Sequence, residues 1–188
     1  MRLVSIAVLA ALALPASADD FTPMLQDFLD TEIRTWSDDP ILVTAIMAQN
    51  ARHDGITADQ IDALDRAWRA EIGQADTPTI TPVIDNSAAD FLRRHVESGG
   101  GAIAEIFIMD AHGLNVAATA PTSDMWQGDE AKFTETYPKG PDATHFSEVE
   151  FDESSQTFVG QISIPIVNRE TGEVVGAMTV GVNAETLM

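Results

Sequence analysis

The sequence predicts an α+β fold in which helices come first and a mainly antiparallel sheet follows. Three observations lead there. Between Phe21 and Glu97 the apolar residues recur at helical spacing; from Ala102 onward they alternate or form short continuous runs of strand type; and the breaks between those runs are short and rich in Gly, Pro, Asp and Asn.

A leader precedes the helices. Arg2 is its charged start, Leu3 to Leu14 its apolar stretch and Ala16-Ser17-Ala18 a small-residue cleavage site. The apolar stretch is shorter than the roughly 20 residues of a membrane span. Cleavage after Ala18 and delivery to the periplasm are therefore expected, with an uncleaved anchor as the alternative. Removing residues 1–18 leaves 170 of the 188 residues and changes the formal charge from −20 to −21. A chain of that length makes one core: residues 19–101 as a helical part and 102–188 as a sheet part, together one domain. So acidic a surface argues against nucleic acid and anionic lipid as partners. The absence of cysteine removes disulfides, thiolate nucleophiles and Cys-held metals.

The first helix is expected from Phe21 to Trp36, with Leu25, Phe28, Leu29, Ile33 and Trp36 in one stripe. Ser37-Asp38-Asp39-Pro40 stops it and starts a second, Ile41 to about His53, for which Asp39 can cap and Pro40 fits the first turn. Thr57-Ala58-Asp59-Gln60 has the form of a capping box and opens a third helix with Ile61, Leu64, Trp68 and Ile72 on one side. Gln74 to Pro82 lacks periodicity and is read as an extended connector. A fourth helix runs from about Ser87 to Glu97, with Ala88, Phe91, Leu92, His95 and Val96 inward; His95 is expected at the edge of the core.

Ile103 to Met109 and Leu114 to Thr119 form a hairpin around His112-Gly113. A polar-aromatic loop, Asp124 to Phe133, then leads into a short helix ending at Tyr137. His145 to Phe151 alternates, with His145, Ser147, Val149 and Phe151 on one face. In the strand Phe158 to Val167, Phe158, Ile162, Ile164 and Ile166 oppose Gln161 and Ser163. Pro165 removes a ladder donor, so that strand must be an edge or bulged there. The last strand, Val174 to Val182, puts Val174, Met178, Val180 and Val182 opposite Ala177, Thr179 and Gly181.

Four pieces carry a family resemblance: Ile106-Phe107-Ile108-Met109-Asp110-Ala111-His112-Gly113, Ser123-Asp124-Met125-Trp126-Gln127-Gly128-Asp129-Glu130, Ile162-Ser163-Ile164-Pro165-Ile166-Val167, and Thr171-Gly172-Glu173-Val174-Val175-Gly176-Ala177-Met178. In order and spacing they resemble the extracytoplasmic PAS-like sensor domains called Cache or PDC domains, over roughly the last half of the chain. The resemblance implies a five-stranded antiparallel sheet with an N-terminal helix on one face, a ligand pocket over the other, and the sensing of small molecules. Most such domains are anchored by membrane helices to a kinase, cyclase or chemoreceptor. This sequence runs only six residues past Val182, so the expectation is a stand-alone protein that captures a metabolite and signals, if at all, through a membrane receptor or kinase in trans.

The candidate ligand-binding residues centre on the loop. Trp126 either stacks on a ligand or anchors its loop in the core. Gln127 and Asp129 could hydrogen-bond a ligand amine or amide, and Asp129 could also cap the following helix. Lys132 could meet a ligand carboxylate or pair with a neighbouring one. Tyr137 could turn its hydroxyl inward or lie at the surface. His145 and Gln161 belong to sheet faces that could line a pocket, with the covered face left open. Asp110 is expected first to organise its turn through backbone bonds, with a ligand role as the lesser reading.

No cofactor or metal site is expected. The four histidines show no ligand spacing, and the nucleotide and hydrolase fingerprints are missing. The chain is therefore expected not to be an enzyme. The leading expectation is a periplasmic small-molecule-binding, sensor-like protein. The alternative is a periplasmic adaptor that docks on a receptor or enzyme, its pocket vestigial. The Trp-ended stripe of the first helix also suggests a homodimer.

Overall fold

The computed structural model describes residues 21–152 and 157–187, so the leader read in Met1 to Ala18 lies outside the described residues. The helices are α1 (Thr22–Thr31), α2 (Pro40–Arg52), α3 (Ala58–Glu71), α4 (Thr81–Ile84), α5 (Ser87–Ser98) and α6 (Ala131–Thr134); the strands are β1 (Ile103–Met109), β2 (Asn115–Ala118), β3 (His145–Phe146), β4 (Glu150–Asp152), β5 (Thr157–Asn168) and β6 (Glu173–Asn183). The fold is α+β, and every strand pairing is antiparallel.

The helix boundaries follow local chemistry. The Asp39 side chain accepts the Ile41 N–H at 2.9 Å, with Pro40 in the first turn of α2. Thr57 and Gln60 form both halves of the capping box of α3. The first helix is shorter than its stripe suggests: α1 stops at Thr31, and a 3₁₀ turn, Ile33–Thr35, carries the stripe on to Trp36. The connector is not wholly extended. Glu71 accepts the Thr79 and Ile80 N–H groups, and this turns the chain into α4.

The strand order is β2-β1-β6-β5-β3, with β4 also on β5. Across the sheet there are thus five positions, as the resemblance implies. The sixth strand arises because the segment His145 to Phe151 is broken. At Ser147 the side-chain hydroxyl takes the Gln161 N–H at 2.8 Å. Beyond it the pairing has slipped by one residue, from Phe146↔Ile162 to Glu150↔Val159, and a one-residue slip exchanges faces. Val149 therefore packs with the helices instead of sharing the face of His145. Phe151, beyond the break, is exposed against Phe158.

A second irregularity corrects the last strand. The register of β5 on β6 shifts between Ile166 and Val167, which puts Val175, not Val174, into the core. Pro165 is tolerated because β3 pairs no further than Ser163. Two residues on, the Val167 N–H, on the same open side, is taken by the Asp38 carboxylate at 3.0 Å.

The sheet is covered on both faces. Leu25, Leu29, Ile33, Trp36, Leu42, Ile46 and Leu92 from α1, its following turn, α2 and α5 pack on Ile106, Ile108, Ile162, Ile164, Ile166, Met178, Val180 and Val182. Each aliphatic side chain fully withdrawn from water there contributes about 2 kcal/mol. The stripe that suggested pairing with a second copy is spent in this core. On the other face, Trp68 of α3, Ile80, Val83, Leu114, Met125 and Phe133 pack on Phe107, Met109, Ala118 and Ala177. The helices are thus divided between the faces, and Ile72, expected inward on α3, is exposed.

At Gly176 a Cβ would overlap the Met109 carbonyl oxygen and press on Ile46. Gly176→Ala is expected to lower stability by about 3 kcal/mol, measured by urea unfolding, whereas Gly55→Ala, with open space around it, should cost less.

Candidate functional site

The β1–β2 turn and the loop that follows are knotted around Asp110. Its side chain has no solvent exposure. One carboxylate oxygen accepts the His112 and Leu114 N–H groups at 2.8 and 3.0 Å. The other lies 2.7 Å from His53 Nδ1 and accepts from Gln49 Nε2 at 3.0 Å. The backbone role expected of Asp110 is thus present, together with a tie to α2. Gln49 and His53 fall at the helical phase of Leu42 and Ile46, and polar residues at an apolar phase are the signal that could have found them.

The loop packs onto this turn. Gln127 N–H donates to the Gly113 carbonyl at 2.8 Å, and the Trp126 indole N–H donates to the His112 carbonyl at 2.8 Å. Gly113, at φ 79°, leaves no room for a side chain because the Gly128 backbone lies against it. Asp65 on α3 accepts the Met125 and Trp126 N–H groups, each at 3.0 Å, and Trp68 donates to the Thr122 carbonyl at 2.8 Å. Asp65 sits one turn from Ile61 on the apolar side of α3, and that position was its only signal.

The structure places the expected site residues as follows. Trp126 is half-buried, with its donor spent inside the protein. Gln127 is buried, and its amide donates to Asp124. Asp129 is exposed, and α6 starts beyond it with Glu130 in the capping position, so Asp129 is not its cap. Lys132 lies 3.0 Å from Glu130 and donates to Gln127 Oε1 at 3.2 Å, with its ammonium 5.4 Å from the Phe107 ring centre. Tyr137 lies beyond α6, in a 3₁₀ turn, and stacks on Phe133 at 5.1 Å.

The face left open in the sequence is now defined. His145 pairs with Ser163, Ser163 with Thr179, Thr179 with Phe107 and Phe107 with Ala118. Directly opposed residues share a face, so these five form one row across the sheet, on the side away from α1. In the neighbouring row Gln161 and Glu105 flank Gly181, with Gln161 Nε2 3.4 Å from Glu105. α6 and the Tyr137 turn pack over β5 on this face, the former also touching β3 and the latter β6. Glu105, Ser163 and Thr179 were not singled out as site residues, although the alternation already set Ser163 beside Gln161.

Ser163 and Thr179 have no exposure, and their hydroxyls are 3.0 Å apart. One donates to the other, so the second hydroxyl hydrogen has no acceptor among the described residues. Neither the Tyr137 hydroxyl nor the His145 ring is hydrogen-bonded to a described residue. Burial, and after it the Asp110 charge, pushes the Tyr137 phenol above its ordinary value, so it stays a neutral donor. Among the described residues no group of three His, Cys, Asp or Glu side chains could hold a metal ion, and no helix is long and apolar enough to cross a membrane.

No family model and no curated protein matches the sequence. Solved structures do resemble it. The sensor domain of the V. cholerae histidine kinase DctB is 16% identical, with a TM-score of 0.46 over 90% of this chain and 54% of that one. The ligand-binding domain of the Campylobacter jejuni chemoreceptor Tlp3, in complex with 4-methylisoleucine, is 13% identical, with a TM-score of 0.41 over 86% and 64%. That of the Pseudomonas aeruginosa PAO1 amino acid chemoreceptor PctC, in complex with GABA, is 16% identical, with a TM-score of 0.42 over 78% and 60%. These neighbours are sensor domains. The chain spans about half to two thirds of their length, and the likeness is one of fold.

Two outcomes test the site's architecture. Asp110→Ala strands the His112 and Leu114 N–H groups and removes an acceptor from Gln49 and the partner of His53, and should cost about 3 kcal/mol or more in urea unfolding. Tyr137 is the chain's one tyrosine, so its phenolate absorbance can be titrated directly. The midpoint should be higher in the native protein than in denaturant. Its contribution to stability should be full below the unfolded pKa and lost as pH rises through the folded one.

Proposed function

We propose that this chain is a sensor-type domain that binds a small polar metabolite outside the cytoplasm, between the α6–Tyr137 segment and the sheet face bearing Ser163 and Thr179. The observation that carries this reading is the buried hydroxyl pair with one donor to spare. A buried donor without an acceptor costs about 1–3 kcal/mol, and a ligand acceptor in that position removes the cost. The Tyr137 hydroxyl and the His145 ring, which have no hydrogen-bond partner among the described residues, add two more groups, and Phe107 and Phe133 supply apolar walls. A few convergent polar groups in an aromatic setting are what small-molecule sites are made of.

In this reading the ligand brings an acceptor to the Ser163–Thr179 pair and to Tyr137, while Glu105, beside Gln161, answers a donor. Trp126 serves the site indirectly, by fixing the loop that carries α6. No catalytic step is assigned to the chain. The leader sequence supports action outside the cytoplasm, and the signalling partner is a receptor or kinase.

Thermal-shift screening of the purified protein against metabolite panels, followed by calorimetry, tests the reading. For a confirmed ligand, Thr179→Val and Tyr137→Phe should each weaken binding about tenfold, equivalent to roughly 1.4 kcal/mol. With α6 and the Tyr137 turn as its lid, this is the lid-face site, and unchanged affinity in both variants would remove it.

A further inference from the structure

We infer a second small-molecule site, for an organic ammonium ion with an apolar body, in the cleft between the Trp36 turn, the start of α2, α5 and the β5–β6 hairpin. It lies on the helix-covered side and shares no lining residue with the lid-face site. The cleft encloses about 600 Å³, a size that suits a small ligand.

One wall is aromatic. Trp36 and His95 are stacked, with ring centres 4.1 Å apart and planes at 18°, and Phe91 is tilted against His95 at 4.7 Å. Val43, Pro40 and Met47 continue the apolar lining. Burial, and then the Arg94 charge, holds the His95 imidazole below its ordinary value, so it brings no competing positive charge.

The charges on the rim select the ligand. Arg94, outside the lining, lies 5.6 Å from the Phe91 ring centre; among the lining residues Asp38, Asp39 and Glu170 face one cation, Arg169, whose Nε lies 3.5 Å from Asp38. That pair largely neutralises itself. Asp39 uses one oxygen to cap α2; its other oxygen, and both of Glu170, have no partner among the described residues. An anion finds no matching donors at the start of α2. The Ile41 N–H is held by the Asp39 side chain, Leu42 and Val43 donate to the Asp39 carbonyl, and Pro40 has no N–H. Aromatic faces and carboxylates both attract an ammonium group, and the chain's charge of −20 draws cations toward it.

Calorimetry with phenethylammonium, phenethyl alcohol and phenylacetate separates charge from shape. The ammonium should bind one to one, and the alcohol and the acid at least about tenfold more weakly. In the variant Asp39→Asn/Glu170→Gln, asparagine still caps α2; ammonium affinity should fall about fivefold or more and that of the alcohol should not change. Trp36→Phe should keep binding but abolish the ligand-induced fluorescence change. Tyr137→Phe, which weakens the lid-face site, should leave the affinities of the three probes at this cleft unchanged, because Tyr137 is not among its lining residues; this keeps the two tests apart. Equal binding of the three probes, no binding at millimolar probe, full affinity in the charge variant, or a fluorescence change that survives Trp36→Phe would each overturn the inference.

Discussion

A carboxylate with no access to water holds the junction on which both sides of the sheet depend. A buried charge is costly unless hydrogen bonds surround it, and Asp110 is met by the His112 and Leu114 backbone, the Gln49 amide and the His53 ring. These partners join α2 on one face to the β1–β2 turn at the edge of the other. Once the turn is fixed, the His112 and Gly113 carbonyls are placed to receive Trp126 and Gln127. The loop in turn sets where α6 and Tyr137 come down on the sheet. The geometry of the lid thus descends from one buried acid rather than from any lid residue.

The two faces of the sheet have different chemistry for a simple reason. Side chains alternate along a strand, and β5 and β6 alternate Ile, Val and Met with Gln, Ser, Thr, Ala and Gly. The aliphatic set meets three helices and closes completely. The small and polar set lies under α6 and the Tyr137 turn, and among the described residues its Ser163–Thr179 hydroxyl pair has one hydrogen without an acceptor.

The helix starts were legible because they depend on residues a few positions apart: Asp39 with Pro40, Thr57 with Gln60. The alternation of the last two strands was legible for the same reason and placed Gln161 with Ser163. Register faults were not. The hydroxyl of Ser147 that interrupts the ladder and the extra residue at Val175 are settled by the partner strand, which no local pattern reveals. The candidate site divides along the same line. The loop was found by its composition, but the partners of Trp126 and Asp110 come from α2 and α3, some 50 to 60 positions away in sequence. Buried polar residues at an apolar helical phase, Gln49 and Asp65, were the signal that went unused.

The alternation has a mechanical consequence. Ser163 looks toward the lid, while Ile162 and Ile164 on either side of it are the seat of α1, α2 and α5; Thr179 stands in the same relation to Met178 and Val180. One peptide unit, about 3.3 Å of strand, separates a side chain available to a guest molecule from one that bears a helix. A displacement of β5 or β6 under the lid is therefore delivered to the opposite layer through the thickness of a single backbone, with no relay of intermediate contacts to dilute it.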